Sequence, residues 1–343
     1  MNHIVLGQSG LTVSKPGFGA LPVQRTPMDE AVKILRRAYE GGIRYFDTAN
    51  AYTDSEEKLG EALHVFPRES YVISTKSGDR DGKTVSAHID ESLRRLKTDY
   101  IDLFQFHFVQ KMLDFDDPDG IYAAALRAKA AGKIRHIGVT SHNIDLAFEL
   151  VNTGKFETMQ FPFSYISGEK EKELVRLCAE KNIGFIAMKG LAGGLLTNAR
   201  ACHAFMGQYP NVVPIWGIQH MHELEEWLAV AEEDPALDDA LRADIEKDRE
   251  ALCGSFCRGC GYCEPCPAGI EIHTCARMNM LLRRSPWQPL LSDAVREKMH
   301  KIEECLHCGN CASKCPYGLD ASELMPHMLE DYEAFYAEHK ALL

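Results

Sequence analysis

The chain has 343 residues, 45% hydrophobic and 26% charged, with a formal net charge of −12. That length suits one large domain plus a small one, and the apolar share is that of an ordinary folded, soluble protein. An acidic balance without any block of lysine or arginine argues against nucleic acid or a membrane surface as partner.

Residues 1–11 lack a basic stretch followed by a long apolar run, so no signal peptide is expected. No eighteen apolar residues run together, so no membrane span is expected, and a cytoplasmic location follows as the expectation. Residues 4–13, turning near Gly10, read as a small hairpin closing one end of the fold. Short β-branched or aromatic runs then alternate with amphipathic stretches. Strands are predicted at 15–19, 45–47, 71–75, 101–106, 135–139, 158–161, 184–187 and 212–215. Helices are predicted at 29–40, 55–63, 85–96, 121–131, 144–152, 169–181 and 222–232, with a short irregular helix after Gly194. Asp29 and Thr84 are candidate N-caps, and Gly41-Gly42 and Gly132 candidate helix ends.

Eight strands in βα alternation predict an α/β fold of (β/α)₈ TIM-barrel type, not an open doubly wound sheet. No G-x-G-x-x-G follows a strand, which removes the main sequence argument for a dinucleotide-binding open sheet. The barrel is expected over residues 1–235. An acidic helical connector (236–252), a cysteine-rich module (253–320) and a terminal helix (321–343) follow, the last either packed on the barrel or loose.

Twelve cysteines in a secreted chain would suggest disulfides. Here only Cys178 and Cys202 precede residue 253, where they suit helix cores. The other ten crowd between Cys253 and Cys315, which points to metal. One run is Cys305-x₂-Cys308-x₂-Cys311-x₃-Cys315-Pro316, the bacterial ferredoxin spacing. The other, Cys257-x₂-Cys260-x₂-Cys263-x₂-Cys266-Pro267, is one residue shorter before its last cysteine. Together they resemble a ferredoxin with two [4Fe–4S] clusters. That resemblance implies one cluster on Cys257, Cys260, Cys263 and Cys315, and the other on Cys305, Cys308, Cys311 and Cys266. A zinc ribbon is the bland alternative, but it uses only four thiolates. Cys253 and Cys275 are left over as buried thiols, although Cys253 is close enough to compete with Cys257.

Barrel enzymes carry their chemistry at the C-terminal ends of strands. Those positions hold Asp47, Lys76 and His107, with Tyr52 in the loop after Asp47. Singly, each has a plain explanation as cap, packing residue or one of fourteen histidines; at one end of three consecutive strands they form a candidate site.

Residues 42–52, Gly-Ile-Arg-Tyr-Phe-Asp-Thr-Ala-Asn-Ala-Tyr, resemble the characteristic stretch of the aldo-keto reductase family. Ser74-Thr75-Lys76 and residues 99–107, ending Leu103-Phe104-Gln105-Phe106-His107, resemble its next two blocks, and the family includes a ferredoxin-fused branch. The resemblance covers roughly residues 1–230. It implies carbonyl/alcohol interconversion by hydride transfer from a nicotinamide, with Tyr52 as general acid and Lys76 favouring its phenolate. It further implies that Asp47 holds Lys76 and that His107 orients the carbonyl. It places Ser141, Asn143 and Gln160 at the nicotinamide amide and Met188 where an aromatic ring often stacks. The stretch Lys189, Gly190, Leu191 and Gly193 falls along the pyrophosphate loop, and Gly217 and Gln219 fall after the eighth strand. No lysine or arginine lies between Gly217 and Arg242, which favours NAD(H) over NADP(H).

Nicotinamide moves two electrons and a cubane cluster normally one, so a flavin or a redox partner protein would be needed to join them. The alternative reading is therefore an electron-transfer protein whose barrel is a docking or non-nicotinamide site. The intact set of four polar residues argues for the enzyme.

Overall fold

The segment Ile101–Phe106 is buried at every position, as a parallel strand covered on both faces must be. The computed structural model describes every residue except 253–255, 260, 262, 285, 286, 316 and 341–343. It divides into two units, one of Met1–Gly190 with Ala199–Ile245, the other of Leu191–Asn198 with Glu246–Leu343. Cys253 and Cys260 lie outside the described residues.

The first unit opens with a hairpin of β1 (Asn2–Val5) and β2 (Thr12–Lys15), paired antiparallel. Eight parallel strands follow: β3 (Gly17–Gly19), β4 (Tyr45–Asp47), β5 (Val72–Ser77), β6 (Ile101–Phe106), β7 (Ile134–Thr140), β8 (Thr158–Pro162), β9 (Gly184–Met188) and β10 (Val212–Gly217). They form a closed barrel in chain order, with β10 pairing back to β3, so the predicted (β/α)₈ architecture is the observed one. The hairpin supplies Leu6 and Val13 to a buried cluster with Tyr45, Val72, Leu103, Ile186 and Val213. Gly7 makes this possible: its φ is +51°, and a Cβ there would lie 2.4 Å from the Asn182 oxygen and the Gly184 nitrogen.

Around the barrel lie α1 (Met28–Glu40), α2 (Ser55–Leu63), α3 (Gly82–Arg95), α4 (Ile121–Ala130), α5 (Ile144–Asn152), α6 (Glu169–Glu180), α7 (Ala199–Gly207) and α8 (Met221–Glu233). Helix α1 shows why: Ala31, Ile34, Leu35 and Ala38 fall on one stripe and are all buried. Two caps differ from expectation. Helix α3 starts three residues early because the Asp81 carboxylate accepts from Thr84 N (2.8 Å), so the cap is Asp81. Helix α1 is preceded by Pro27, with Asp29 in its first turn, where a carboxylate suits the helix dipole. The segment after Gly194 contains a regular nine-residue helix, α7, with Cys202 buried in it.

Helix α9 (Asp239–Ala251) spans the division between the units. In the second unit are α10 (Ile272–Cys275), α11 (Met278–Arg284), α12 (Asp293–His300), α13 (Asn310–Lys314) and α14 (Ala321–His339). The terminal helix is neither loose nor separate from the cysteine-rich module. It supplies Met325, Met328 and Tyr332 to the same core as Ile272, Cys275 and Met299. Bidentate pairs, Arg283 with Asp331 and Arg296 with Glu333, fasten its outer face. No described helix is long and apolar enough to cross a membrane.

Asp102, 2% exposed on β6, ties three strands together. It accepts from Ile73 N (3.0 Å) on β5 and from Arg68 (2.5 Å), and Arg135 of β7 lies at 3.4 Å. Asp102→Ala leaves Arg68 without its buried partner and is expected to lower unfolding stability by about 3 kcal/mol. Urea unfolding measures this, and a change below about 0.5 kcal/mol, the size of an ordinary surface substitution, would show that the node holds nothing.

Candidate functional site

Side chains alternate across a strand, so Asp47, Ser74, Lys76 and Gln105 all point into the barrel, in register on β4, β5 and β6. Lys76 is 1% exposed. Its ammonium donates to Asp47 Oδ1 (2.5 Å) and to the Thr48 carbonyl (2.6 Å). The second carboxylate oxygen of Asp47 accepts from Ser74 Oγ (2.5 Å), whose hydroxyl in turn accepts from Tyr45 (3.0 Å). Burial lowers the Lys76 pKa, while Asp47, and more weakly Glu56, raise it.

Tyr52 lies over this pair, its ring centroid 5.5 Å from Lys76 Nζ and 5.7 Å from the His107 ring, edge to face. The structure thus brings Asp47, Tyr52, Lys76 and His107 together. Burial first, then Asp47, push the Tyr52 phenol above its usual value. Tyr52 is therefore a neutral phenol holding the proton that a general acid must give. Burial, with Lys76 and Arg80 adding to it, holds the His107 imidazole down at about 3, so it is neutral at ordinary pH.

Backbone strain collects at the same place. Thr53 follows Tyr52 at φ +35°, Phe108 follows His107 at φ +51°, and Lys189 follows Met188 at φ +56°. None is glycine, and such residues persist only where the surroundings over-determine them. Phe108 is held by Thr140 Oγ1, which accepts from its N–H (2.7 Å), and by Arg80, which donates to its carbonyl (2.6 Å). Its ring packs edge-on against His142, a buried histidine held neutral by burial and by the Lys189 charge. His142 lies between Ser141 and Asn143, in the stretch that the resemblance places at the nicotinamide amide, but nothing local in the sequence marks its burial.

The expected cofactor contacts divide. Gln160 is buried on β8 and accepts from Gln105 (2.7 Å). Ser141 donates to the Val109 carbonyl (3.0 Å), and Asn143 Oδ1 caps α5 through the Asp145 and Leu146 amides. Met188 and Lys189 are half-buried at the end of β9. Gly190 has a packing reason for being glycine: a Cβ would lie 2.4 Å from the Trp216 ring. Leu191 and Gly193 belong to the second unit, where Arg277 donates to the Gly193 carbonyl (2.9 Å). After β10, the Glu223 carboxylate accepts from Gln219 N (2.7 Å) and His220 N (2.9 Å), filling the N-terminus of α8.

In the second unit the thiols line two hollows. Cys266, Cys305 and Cys308 line one with Ile270, Ile272 and Met325. Cys257 and Cys315 line the other with Phe256, Tyr317 and Leu319, and Cys263 and Cys311 border both. Cys266 thus faces the hollow of the second cysteine run and Cys315 that of the first. The thiols surround space rather than converge on a point: among the described residues no three metal-binding side chains could hold a single ion. That arrangement fits a four-iron cube with one thiolate per corner better than tetrahedral zinc. Cys275 lines neither hollow; burial pushes its thiol up to about 12, and it donates to the Lys298 carbonyl (3.7 Å).

The aldo/keto reductase family matches residues 4–207, and a 4Fe-4S dicluster domain matches residues 256–320. L-galactose dehydrogenase of Arabidopsis thaliana is 34% identical over 214 residues, covering 56% of this chain and 66% of that protein. The NADH-specific methylglyoxal reductase of Escherichia coli K12 is 30% identical over 227 residues, covering 57% and 69%. Each match thus spans about two thirds of the relative's own length. A solved Pseudomonas aeruginosa protein titled as an aldo-keto reductase superposes with a TM-score of 0.60 at 27% identity, over 68% of this chain and 94% of that one. The holo form of aldo-keto reductase AKR11C1 from Bacillus halodurans shares the fold at a TM-score of 0.63 and 24% identity, over 72% and 96%.

Removing one member of the Lys76–Asp47 pair strands a buried charge. Asp47→Ala is expected to destabilise the barrel by about 3–5 kcal/mol, whereas Asp47→Leu with Lys76→Met recovers most of that loss. Denaturant unfolding of the three chains checks the order.

Proposed function

Because the chain belongs to the aldo/keto reductase family, we propose that its barrel interconverts carbonyl and alcohol groups of a small molecule with a nicotinamide cofactor. We propose also that its cysteine-rich unit holds two [4Fe–4S] clusters. The carrying observation is the neutral Tyr52 phenol standing beside the buried Lys76–Asp47 pair and the neutral His107. A bound nicotinamide supplies or takes the hydride. Tyr52 gives its proton to the oxygen on which charge grows, and Lys76, held as a cation by Asp47, stabilises the tyrosinate left behind. His107, neutral, donates a hydrogen bond to the carbonyl oxygen and fixes its direction. Tyr52→Phe is expected to lower turnover by roughly 10²–10⁴-fold with iron content unchanged; near-normal turnover would reject this role.

The pH dependence follows from the same groups. His107 takes a proton only near its lowered value of about 3, so it gives no acid limb between pH 5 and 8. The Lys76 pKa is lowered by burial, so rising pH removes its charge first and activity falls on the alkaline side. A pH–rate profile with an acid limb near 6.5, abolished by His107→Gln, would contradict this.

The cofactor reading favours NADH. The Glu223 carboxylate takes the Gln219 and His220 amides just before α8 and sets a negative charge at that end of the helix, where the anion of a 2′-phosphate would meet repulsion. The E. coli relative named above is NADH-specific by name, which agrees.

For the clusters, the two hollows support Cys257, Cys263 and Cys315 as ligands of one, with Cys260 completing it. Cys305, Cys308, Cys311 and Cys266 would hold the other. The clusters supply one-electron transfer. Cys266→Ser and Cys315→Ser should therefore perturb different clusters, each changing a different part of the paramagnetic spectrum of a protein with roughly eight irons per chain. Identical spectra from the two variants would overturn the crossed assignment. Anaerobic addition of NADH, with a flavin assay on the same sample, reads whether the clusters exchange electrons with the nucleotide: bleaching means exchange, an unchanged spectrum means none.

A further inference from the structure

Gln105 sits fully buried on β6, between the ion pair and Gln160. Its Nε2 donates to Gln160 Oε1 at 2.7 Å and approaches Asp47 Oδ2 at 3.4 Å, while its Oε1 meets no donor. Turning the amide over would set Oε1 against a carboxylate and a carbonyl oxygen, two acceptors. The Asp47 carboxylate therefore dictates which way Gln105 faces. Gln105 in turn dictates Gln160, whose Oε1 must face the donor and whose Nε2 is turned away from it. Gly138 provides the room. It is in register with Gln105 on one side and Thr158 on the other, and a Cβ there would lie 2.1 Å from Thr158 Oγ1 and 3.2 Å from Gln105 Cγ.

We propose that Gln105 is a positioning residue for the cofactor: it sets Gln160 as a hydrogen-bond donor, so that the site reads the carboxamide oxygen of nicotinamide rather than its amino group. This rests on the nicotinamide reading above. Lys76, Asp47, Gln105 and Gln160 then form one chain of polar contacts from the proton-transfer group to the cofactor ring. The barrel's ion pair thereby orients the cofactor as well as the tyrosine.

The test compares dissociation constants of NAD⁺ and 3-acetylpyridine adenine dinucleotide on the full chain with its clusters. The analogue keeps the carbonyl oxygen and replaces the amino group with a methyl. The wild-type chain should bind the two within about threefold, because no bond to the amino group is lost. Gln105→Glu carries a carboxyl that keeps its proton beside Asp47, to which it donates; its other oxygen is an acceptor facing Gln160 and turns that amide round, so the analogue should bind about tenfold less tightly than NAD⁺, the effect of one hydrogen bond. Gln105→Met, which keeps the length without the donor, should weaken both nucleotides. A merely structural role would move both constants together in Gln105→Glu and leave their ratio unchanged, which overturns the proposal. A wild-type chain that binds the analogue tenfold less tightly than NAD⁺ overturns it without any variant. A wild-type chain that binds neither nucleotide refutes the nicotinamide reading instead.

Discussion

The contact between Lys76 and Asp47 is the constraint on which the barrel's chemistry depends. Two full charges lie within a layer almost closed to solvent, and each would be costly alone. Polar neighbours answer both charges: Ser74 and Gln105 turn to the carboxylate, and the Thr48 carbonyl turns to the ammonium. Because the carboxylate is an acceptor only, it orders every donor around it. The orientation of that polar layer follows from one group's lack of a proton.

The strain around the site belongs to the same account. Three non-glycine residues in the left-handed region each follow a residue of the site. The surrounding strands are paired on both sides and cannot relax toward them, so the cost is held locally by a rigid cylinder.

Much of this was legible in the sequence, for a physical reason. Strands of a closed parallel barrel are buried on both faces, so Ile101–Phe106 reads as a continuous apolar run, and α1 shows its stripe at helical spacing. Asp47, Lys76 and His107 were found because strand ends are fixed positions in such a barrel. The cysteine runs were found because cluster ligation requires short, regular spacing. What was not legible depends on contacts between residues far apart in the chain. The raised value of the Tyr52 phenol needs its burial and the nearness of Asp47, which no local pattern encodes. Gln105 looked like an ordinary core position until register brought it beside Asp47 and Gln160. The start of α3 was missed because Asp81 and Thr84 are both good caps, and only geometry decides between them.

The packing of α14 bears on how this protein is made. Met325 and Tyr332 lie at the centre of the core that surrounds the cysteine hollows, some twenty residues after Cys305, Cys308 and Cys311 in the chain. A chain emerging in order presents all its thiols before it can bury them. Those thiols are open to iron, oxygen or one another until the helix arrives. Enclosure of those thiols therefore waits for the synthesis of α14, and any interruption between Cys315 and Tyr332 leaves a chain with every cysteine of the two runs and no enclosure for them.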